Sequence, residues 1–503
     1  MKALKYLLVL LAGASIHFSF SPYDFWPAGI AGLLLFCSVI VSAERPKSAF
    51  FLAFVFAAGF FGAGVSWVYV SIHTYGEVPA FLAIIFTSGF ALFLALLFAL
   101  PWLLYPIIGN TTGLRLFCFP LFWLLSEWLR GWLLTGFPWL YLGYAHVDSP
   151  MSGWIPVIGV LGTGLLIAIA VAAINFALIH RSTRITGLSG VTLLMIFIPG
   201  IMLSPVEWTN TTDTQIPVTM VQPDIPMRDK WNPARADEIL LKLEDLSSDA
   251  WKPGLLVWPE AAIPYVGDAA DPYVEFLNSL GSQSDTAIIT GLLTYDAERD
   301  TYLNSIAGLG KADNIYHKQR LVPFGEYVPL ENLLRGTMHF FDLPMSVIRP
   351  GPGGQSPLSF DYLGESFLLA PALCYEIAYA WLVREMAADS NMLVTLSNDA
   401  WFGTSIGPWQ HMQIAQARAL ENQKPLLRVT NNGITALVDH QGLIVEKVPQ
   451  FQSASLRTMI EPRTGQTPFT RHGQLFSMSL AGLMLIYAIF RSVQGHRFQK
   501  WLV

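Results

Sequence analysis

The sequence predicts a layered α/β domain inserted between seven N-terminal helices and one C-terminal helix, all eight apolar enough to cross a bilayer. Three observations predict it. First, the 503 residues are 53% hydrophobic and only 13% charged, with a mean hydropathy of +0.45, outside the mix of a soluble globular chain. Second, long apolar windows crowd the first 205 residues and return only near the end. Third, the stretch 206–472 between them switches to short apolar runs alternating with helix-like segments. The expected division is 1–205, 206–472 and 473–503, the last holding one spanning helix and a tail.

A hydrocarbon core of about 30 Å takes about 20 mostly apolar residues per helix. The windows that qualify are 4–20, 25–43, 49–72, 79–107, 114–134, 154–179 and 185–203, with 474–490 closing the chain. Lys2 and Lys5 before the first run resemble a secretion signal, but Phe18, Phe20 and Pro22 stand where small cleavage-site residues belong, so the helix is read as retained. Lys and Arg then set orientation, because they stay cytoplasmic. Alternate loops and the tails carry Lys2, Lys5, Arg45, Lys47, Arg115, Arg181, Arg184, Arg491, Arg497 and Lys500; the intervening loops around Asp24, His73 and 135–153 carry none. Both termini are therefore expected in the cytoplasm and 206–472 on the outer face, which in a bacterium is the periplasm facing the inner membrane.

Glu127 and Arg130 sit inside the fifth window at i, i+3, on one helix face. They are either a structural ion pair or a polar floor for a lipid headgroup. A net charge of −6 lacks the basic excess that neutralises phosphates, so nucleic acid is excluded as a partner. The three cysteines, Cys37, Cys118 and Cys374, are an odd number and two lie in apolar runs, which rules out a disulfide framework. Scattered histidines without ligand spacing predict no metal, and no glycine-rich loop predicts a phosphate cofactor.

Within 206–472, strand candidates are 218–223, 255–260, 287–293, 367–374, 392–399, 426–433 and 435–439; helix candidates are 233–249, 271–280, 376–389 and 410–423. Several runs are continuously apolar, as strands covered on both faces are. Three of them end in a residue capable of chemistry: Glu260 after LLVWP, Cys374 after LLAPAL, and Asn398 with Asp399 after LVTLS. Strand carboxyl ends are where open α/β sheets gather reactive groups. Lys318 lies in YHKQRLVPFGEYVP, whose Pro323, Gly325 and Pro329 exclude one long helix and predict an ordered loop. Taken singly, each has a bland role: a packed thiol, a solvated carboxylate, a surface ammonium. Together they make acyl-transfer chemistry, with a thiol nucleophile, a carboxylate base and an ammonium for the oxyanion.

The motifs WPE at 258–260, HKQRLVPFGEYVP at 317–329, ALCYE at 372–376, LSNDAWFG at 396–403 and RVTNNG at 428–433, in this order, resemble the nitrilase superfamily. With the N-terminal helical block, the chain resembles over essentially its whole length the membrane-embedded branch, the bacterial apolipoprotein N-acyltransferases. The resemblance implies a nitrilase-like αββα sandwich with a catalytic Glu-Lys-Cys triad at Glu260, Lys318 and Cys374. It makes Glu326 an additional glutamate near the lysine and thiol, which either takes part or only orients Lys318. The Tyr375 backbone N–H becomes an oxyanion donor, and Glu376 either supports the site or simply begins a helix. Trp231 falls near an acyl pocket or serves as a membrane-interface anchor; Trp401, with Phe402, lines the same pocket or packs in the core.

The function this implies is a two-step transfer without cofactor. A phospholipid acyl donor acylates Cys374, and the thioester passes to the α-amino group of the diacylglyceryl-cysteine of an apolipoprotein acceptor. The lipid bilayer holds both partners, and a monomer is expected. Loops 135–156 and 335–350 are the expected gate. The alternatives are a membrane-anchored amidase or nitrilase-type hydrolase, and a non-catalytic membrane scaffold.

Overall fold

The computed structural model describes residues 2–323, 325–327 and 348–501. The chain divides into two compact units, one of Met1–Thr74, Val78–Val206 and Arg471–Val503, the other of Tyr75–Glu77 and Glu207–Thr470.

In the first unit every apolar window is helical. Among the described residues, five helices have the length and composition to cross a membrane: Pro46–Gly64, Ala80–Ile108, Ser152–His180, Thr183–Leu203 and Leu475–Gln494. The others depart for physical reasons. Pro27–Ile40 has 14 residues, about 21 Å at 1.5 Å per residue, short of the hydrocarbon thickness. Thr112–Arg130 is long enough but carries Arg115, Glu127 and Arg130 among its buried residues. Two of the five are themselves interrupted: the window 49–72 breaks at Gly64, and 79–107 changes from α to 3₁₀ winding around Pro101, which brings no backbone N–H. Glu127 and Arg130 are both spent on one loop. The Leu142 N–H donates to Glu127 Oε1 at 2.7 Å, Arg130 Nη1 donates to the Phe137 carbonyl at 2.7 Å and also to that of Trp139, and the guanidinium lies 5.0 Å from the Tyr141 ring.

The second unit contains two mixed sheets with helices, and an antiparallel pair of short strands, β1 Thr209–Thr211 and β15 Arg463–Gly465. One sheet runs β14-β2-β3-β4-β5-β7, where β2 is Ile216–Gln222, β3 Gly254–Val257, β4 Thr286–Asp296, β5 Thr301–Gly310, β7 Ile315–His317 and β14 Ala454–Ile460. The other runs β13-β12-β11-β10-β9-β8-β6, with β6 Ala312–Asp313, β8 Leu358–Tyr362, β9 Glu365–Leu373, β10 Met392–Ser397, β11 Leu426–Thr430, β12 Thr435–Val438 and β13 Ile444–Val448. The centres, β2-β3-β4 and β9-β10-β11, are parallel and the flanks antiparallel. Parallel central strands explain the continuous apolar runs, since both faces are covered. Ile239, Leu240 and Leu243 of the helix Ala236–Leu246, and Leu277 of Asp271–Gln283, share one core with Leu256 and Ile288 of the first sheet. The helices Ala380–Ala387 and Gly407–Asn422 pack on β9 and β11 of the second.

The strand ends needed correction. β3 stops at Val257, β9 at Leu373, β10 at Ser397 and β11 at Thr430. The residues beyond, including Glu260, Cys374 and Asp399, lie in the turns that follow. The helix expected at 376–389 is divided, a 3₁₀ turn Cys374–Ala378 preceding Ala380–Ala387.

Candidate active site

Four segments converge at the carboxyl ends of the central strands. After β3, the Trp258 N–H still bonds to Ile289 and its indole donates to Ser247 Oγ at 2.9 Å, which fixes where the chain leaves the sheet. The turn then presses on β4 so closely that a β-carbon at Gly291 would stand 2.5 Å from Ala261 N and 2.7 Å from Glu260 Cα. Only glycine leaves that approach open. The backbone thus delivers Glu260 to a buried position over β5, where Asn304 Nδ2 donates to Glu260 Oε1 at 2.8 Å and to Glu326 Oε1 at 3.2 Å.

Lys318 follows β7 directly. Its N–H donates to the Asn304 carbonyl, and its Nζ lies 2.8 Å from Glu326 Oε1 and 3.5 Å from Glu260 Oε1. Glu326 Oε2 is held in turn by the Val322 N–H at 2.8 Å. One ammonium, 1% exposed, therefore joins two buried carboxylates. Burial alone would lower the lysine pKa; Glu326 and then Glu260 outweigh it and carry the value above the ordinary lysine range. Lys318 stays a cation at every physiological pH.

Cys374 begins the turn after β9 with φ at +50°, a left-handed conformation that a residue with a β-carbon seldom adopts. The residue is half-buried. Burial, and next the charge of Glu260, push its thiol up to about 12, while Lys318 pulls the other way. The resting group is a neutral thiol that needs a base at the moment of attack. Behind the turn Glu376 is fully buried, accepting from Leu373 N at 2.8 Å through Oε2, and from Gln319 N, Arg320 N and Tyr316 Oη through Oε1. Glu376 thus does more than open a helix: it ties the Lys318 loop to the cysteine turn. Burial raises its carboxyl to about 7 against those donors.

The remaining predicted residues lie farther from these bonds. Tyr375, next in the turn after Cys374, is buried with its ring edge-on to Tyr379. Trp231, after the short turn Met227–Lys230, packs with Val266 and Tyr327 on Leu293, Leu321 and Ile348, a cluster that includes the Lys318 loop. Trp401 is half-buried with the Tyr75 ring edge-on at 6.3 Å. Most of the gate expected at 335–350 lies outside the described residues.

A profile for the apolipoprotein N-acyltransferase N-terminal domain matches residues 12–173, and one for carbon-nitrogen hydrolases matches 217–468. The apolipoprotein N-acyltransferase of Pseudomonas aeruginosa strain PAO1 is 39% identical over 96% of this chain and 95% of its own; that of Photobacterium profundum is 37% identical over 98% and 96%. The chain belongs to the apolipoprotein N-acyltransferase family. Among solved structures, Saccharomyces cerevisiae Nit3, a member of branch 10 of the nitrilase superfamily, matches 51% of this chain and 93% of its own at 18% identity, with a TM-score of 0.38.

As an N-acyltransferase the chain is an enzyme, and three residues given no role of their own in the sequence reading bear on its site. Asn304 bridges the two carboxylates from inside β5. Lys230, buried, donates from Nζ to the Glu260 carbonyl at 2.8 Å, and burial lowers its pKa to about 8. Asn431, from the RVTNNG motif, accepts from Ile225 N and donates to the Ile225 carbonyl and Asn398 Oδ1, stapling the loop before Lys230 and Trp231 to the second sheet. The signal for Asn304 was the lone amide side chain within the run TYLNSIAGLG. Lys230 offered none, because an ammonium beside a tryptophan reads as surface.

Proposed function

We propose that this N-acyltransferase works by a two-step exchange through Cys374, and the arrangement that carries the proposal is Lys318 Nζ held between Glu260 and Glu326 beside a half-buried, strained cysteine. Sγ attacks an ester carbonyl of a phospholipid while Glu260 takes the thiol proton. Lys318, with the Tyr375 N–H, stabilises the oxyanion. The carbon–oxygen bond breaks, Glu260 returns the proton to the departing alcohol, and a lysophospholipid leaves a thioester on Sγ. The α-amino group of the diacylglyceryl-cysteine of an apolipoprotein then attacks that thioester, Glu260 takes the amine proton, and the proton returns to Sγ as the amide forms. Glu326 keeps Lys318 charged and placed, and Glu376 holds the cysteine turn. Trp231 and Trp401 belong to the acyl-binding surroundings.

The same reading puts the enzyme in a bacterial inner membrane as a monomer with seven spanning helices before residue 205, one after 473, and the catalytic domain in the periplasm. The lysine and arginine asymmetry of the loops supports that orientation. Protease added to spheroplasts is then expected to cut within 207–470 and leave both tails intact; protected 207–470 would reverse the orientation. For the chemistry, purified enzyme receives phospholipid with a labelled acyl chain and a diacylglyceryl lipopeptide. The proposal predicts label in amide linkage on the peptide, lost in Cys374→Ala. Label released as free fatty acid without acceptor would make the protein a hydrolase instead.

A further inference from the structure

Behind the cysteine turn, and outside the set of groups that touch the reacting atoms, lies a second buried cluster of titratable residues: Asp399, His411 and Arg428. They come from three elements, the 3₁₀ turn after β10, the helix Gly407–Asn422 and strand β11, and each is at most 2% exposed. Asp399 Oδ2 takes a 2.6 Å bond from Arg428 Nη2, and Oδ1 takes one of 2.8 Å from Ser397 Oγ. His411 Nδ1 lies 3.0 Å from Asp399 Oδ1 and 3.1 Å from Arg428 Nη2, while Nε2 lies 3.1 Å from the Cys374 carbonyl oxygen. A β-carbon at Gly433 would stand 2.5 Å from Asp399 Oδ2, so the RVTNNG glycine lets the chain close on this cluster.

The Cys374 carbonyl can only accept, so Nε2 carries a proton. A neutral ring then accepts at Nδ1 from Arg428, and a charged ring donates there to Asp399; in either state Nε2 remains the donor. Burial, and next the Arg428 charge, favour the neutral ring. The carbonyl so held belongs to the peptide plane that also contains the Tyr375 N–H, and in a trans peptide the two point in opposite directions. Drawing the carbonyl toward His411 therefore aims the Tyr375 N–H the other way, and it resists relaxation of the strained φ at Cys374.

We infer that His411, locked by Asp399 and Arg428, is a positioning residue that fixes the Cys374–Tyr375 peptide and so sets the oxyanion donor. The inference rests on Cys374 being the acylated residue. Two variants separate the ring nitrogens: His411→Gln replaces the donor at the Nε2 position, and His411→Asn replaces only the Nδ1 contact. The rate at which phospholipid acylates the enzyme is measured by intact mass across donor concentrations, with the melting temperature of each variant. His411→Asn is expected to slow acylation at saturating donor about a hundredfold, as loss of an oxyanion donor does. The half-saturating donor concentration should change by less than about threefold, and His411→Gln should return to within about fivefold of the native rate. Equal rates in His411→Asn and the native enzyme would overturn the inference. So would equal losses in both variants, tracking their melting temperatures. Cys374→Ala is the separate control: if it gains the same acyl mass, the proposed function falls first.

Discussion

At the scale of single residues, the chemistry follows from which groups are buried together. A lysine joining two carboxylates is costly to bury unless all three keep their partners, and here Asn304 and the Val322 N–H complete the set. For the thiol the balance goes the other way: burial and Glu260 outweigh Lys318 and Ser397 and hold it up to about 12. Alkylation of Cys374 by iodoacetamide, followed on its tryptic peptide, should therefore climb roughly tenfold per pH unit from about pH 7 to about pH 10. A plateau beginning near the ordinary thiol pKa of about 8.5 would contradict that picture. Glu260 and Cys374 drew notice in the sequence because each ends an apolar run, and Lys318 because it lies in the motif HKQRLVPFGEYVP. Asn304, Lys230 and His411 did not, because their partners lie 44, 30 and 37 residues away along the chain and only the folded sheets bring them together.

At the scale of elements, the turn Cys374–Ala378 is held from inside by Glu376, which no strand or helix pattern identifies as a hub. Replacing it by Gln turns an amide NH₂ toward either Leu373 N or the three donors at Oε1, leaving at least one buried N–H unmatched at about 1–3 kcal/mol. Acylation by Glu376→Gln should fall with it. The pH dependence is specific. The folded pKa of about 7 stands above the ordinary 4.5, so stability from this group is complete below 4.5 and is lost as pH rises through 7. The melting-temperature deficit of Glu376→Gln should be larger near pH 5 than near pH 8; the reverse ranking would show that the carboxylate, not the acid, is the form the fold prefers. The central strands were legible for the same reason they are buried, an unbroken apolar run. The flanking strands β5, β8, β13 and β14 were missed, since antiparallel strands with one wetter face interleave polar residues, as in ASLRTMI.

At the scale of the whole molecule, the division into an apolar helical block and an α/β segment was read from where the long apolar windows stop and short alternating runs begin. The number of spans was not: a 14-residue helix and a charged 19-residue one are both real helices, but length and hydropathy do not by themselves place them across a bilayer. The proposed exchange requires a covalent intermediate that joins these levels. Purified enzyme given phospholipid without acceptor should gain one acyl mass on Cys374, removable by neutral hydroxylamine and lost when a diacylglyceryl lipopeptide is added. Transfer to the lipopeptide at full rate with no acyl mass ever present on Cys374, or with that mass on another residue, would contradict it.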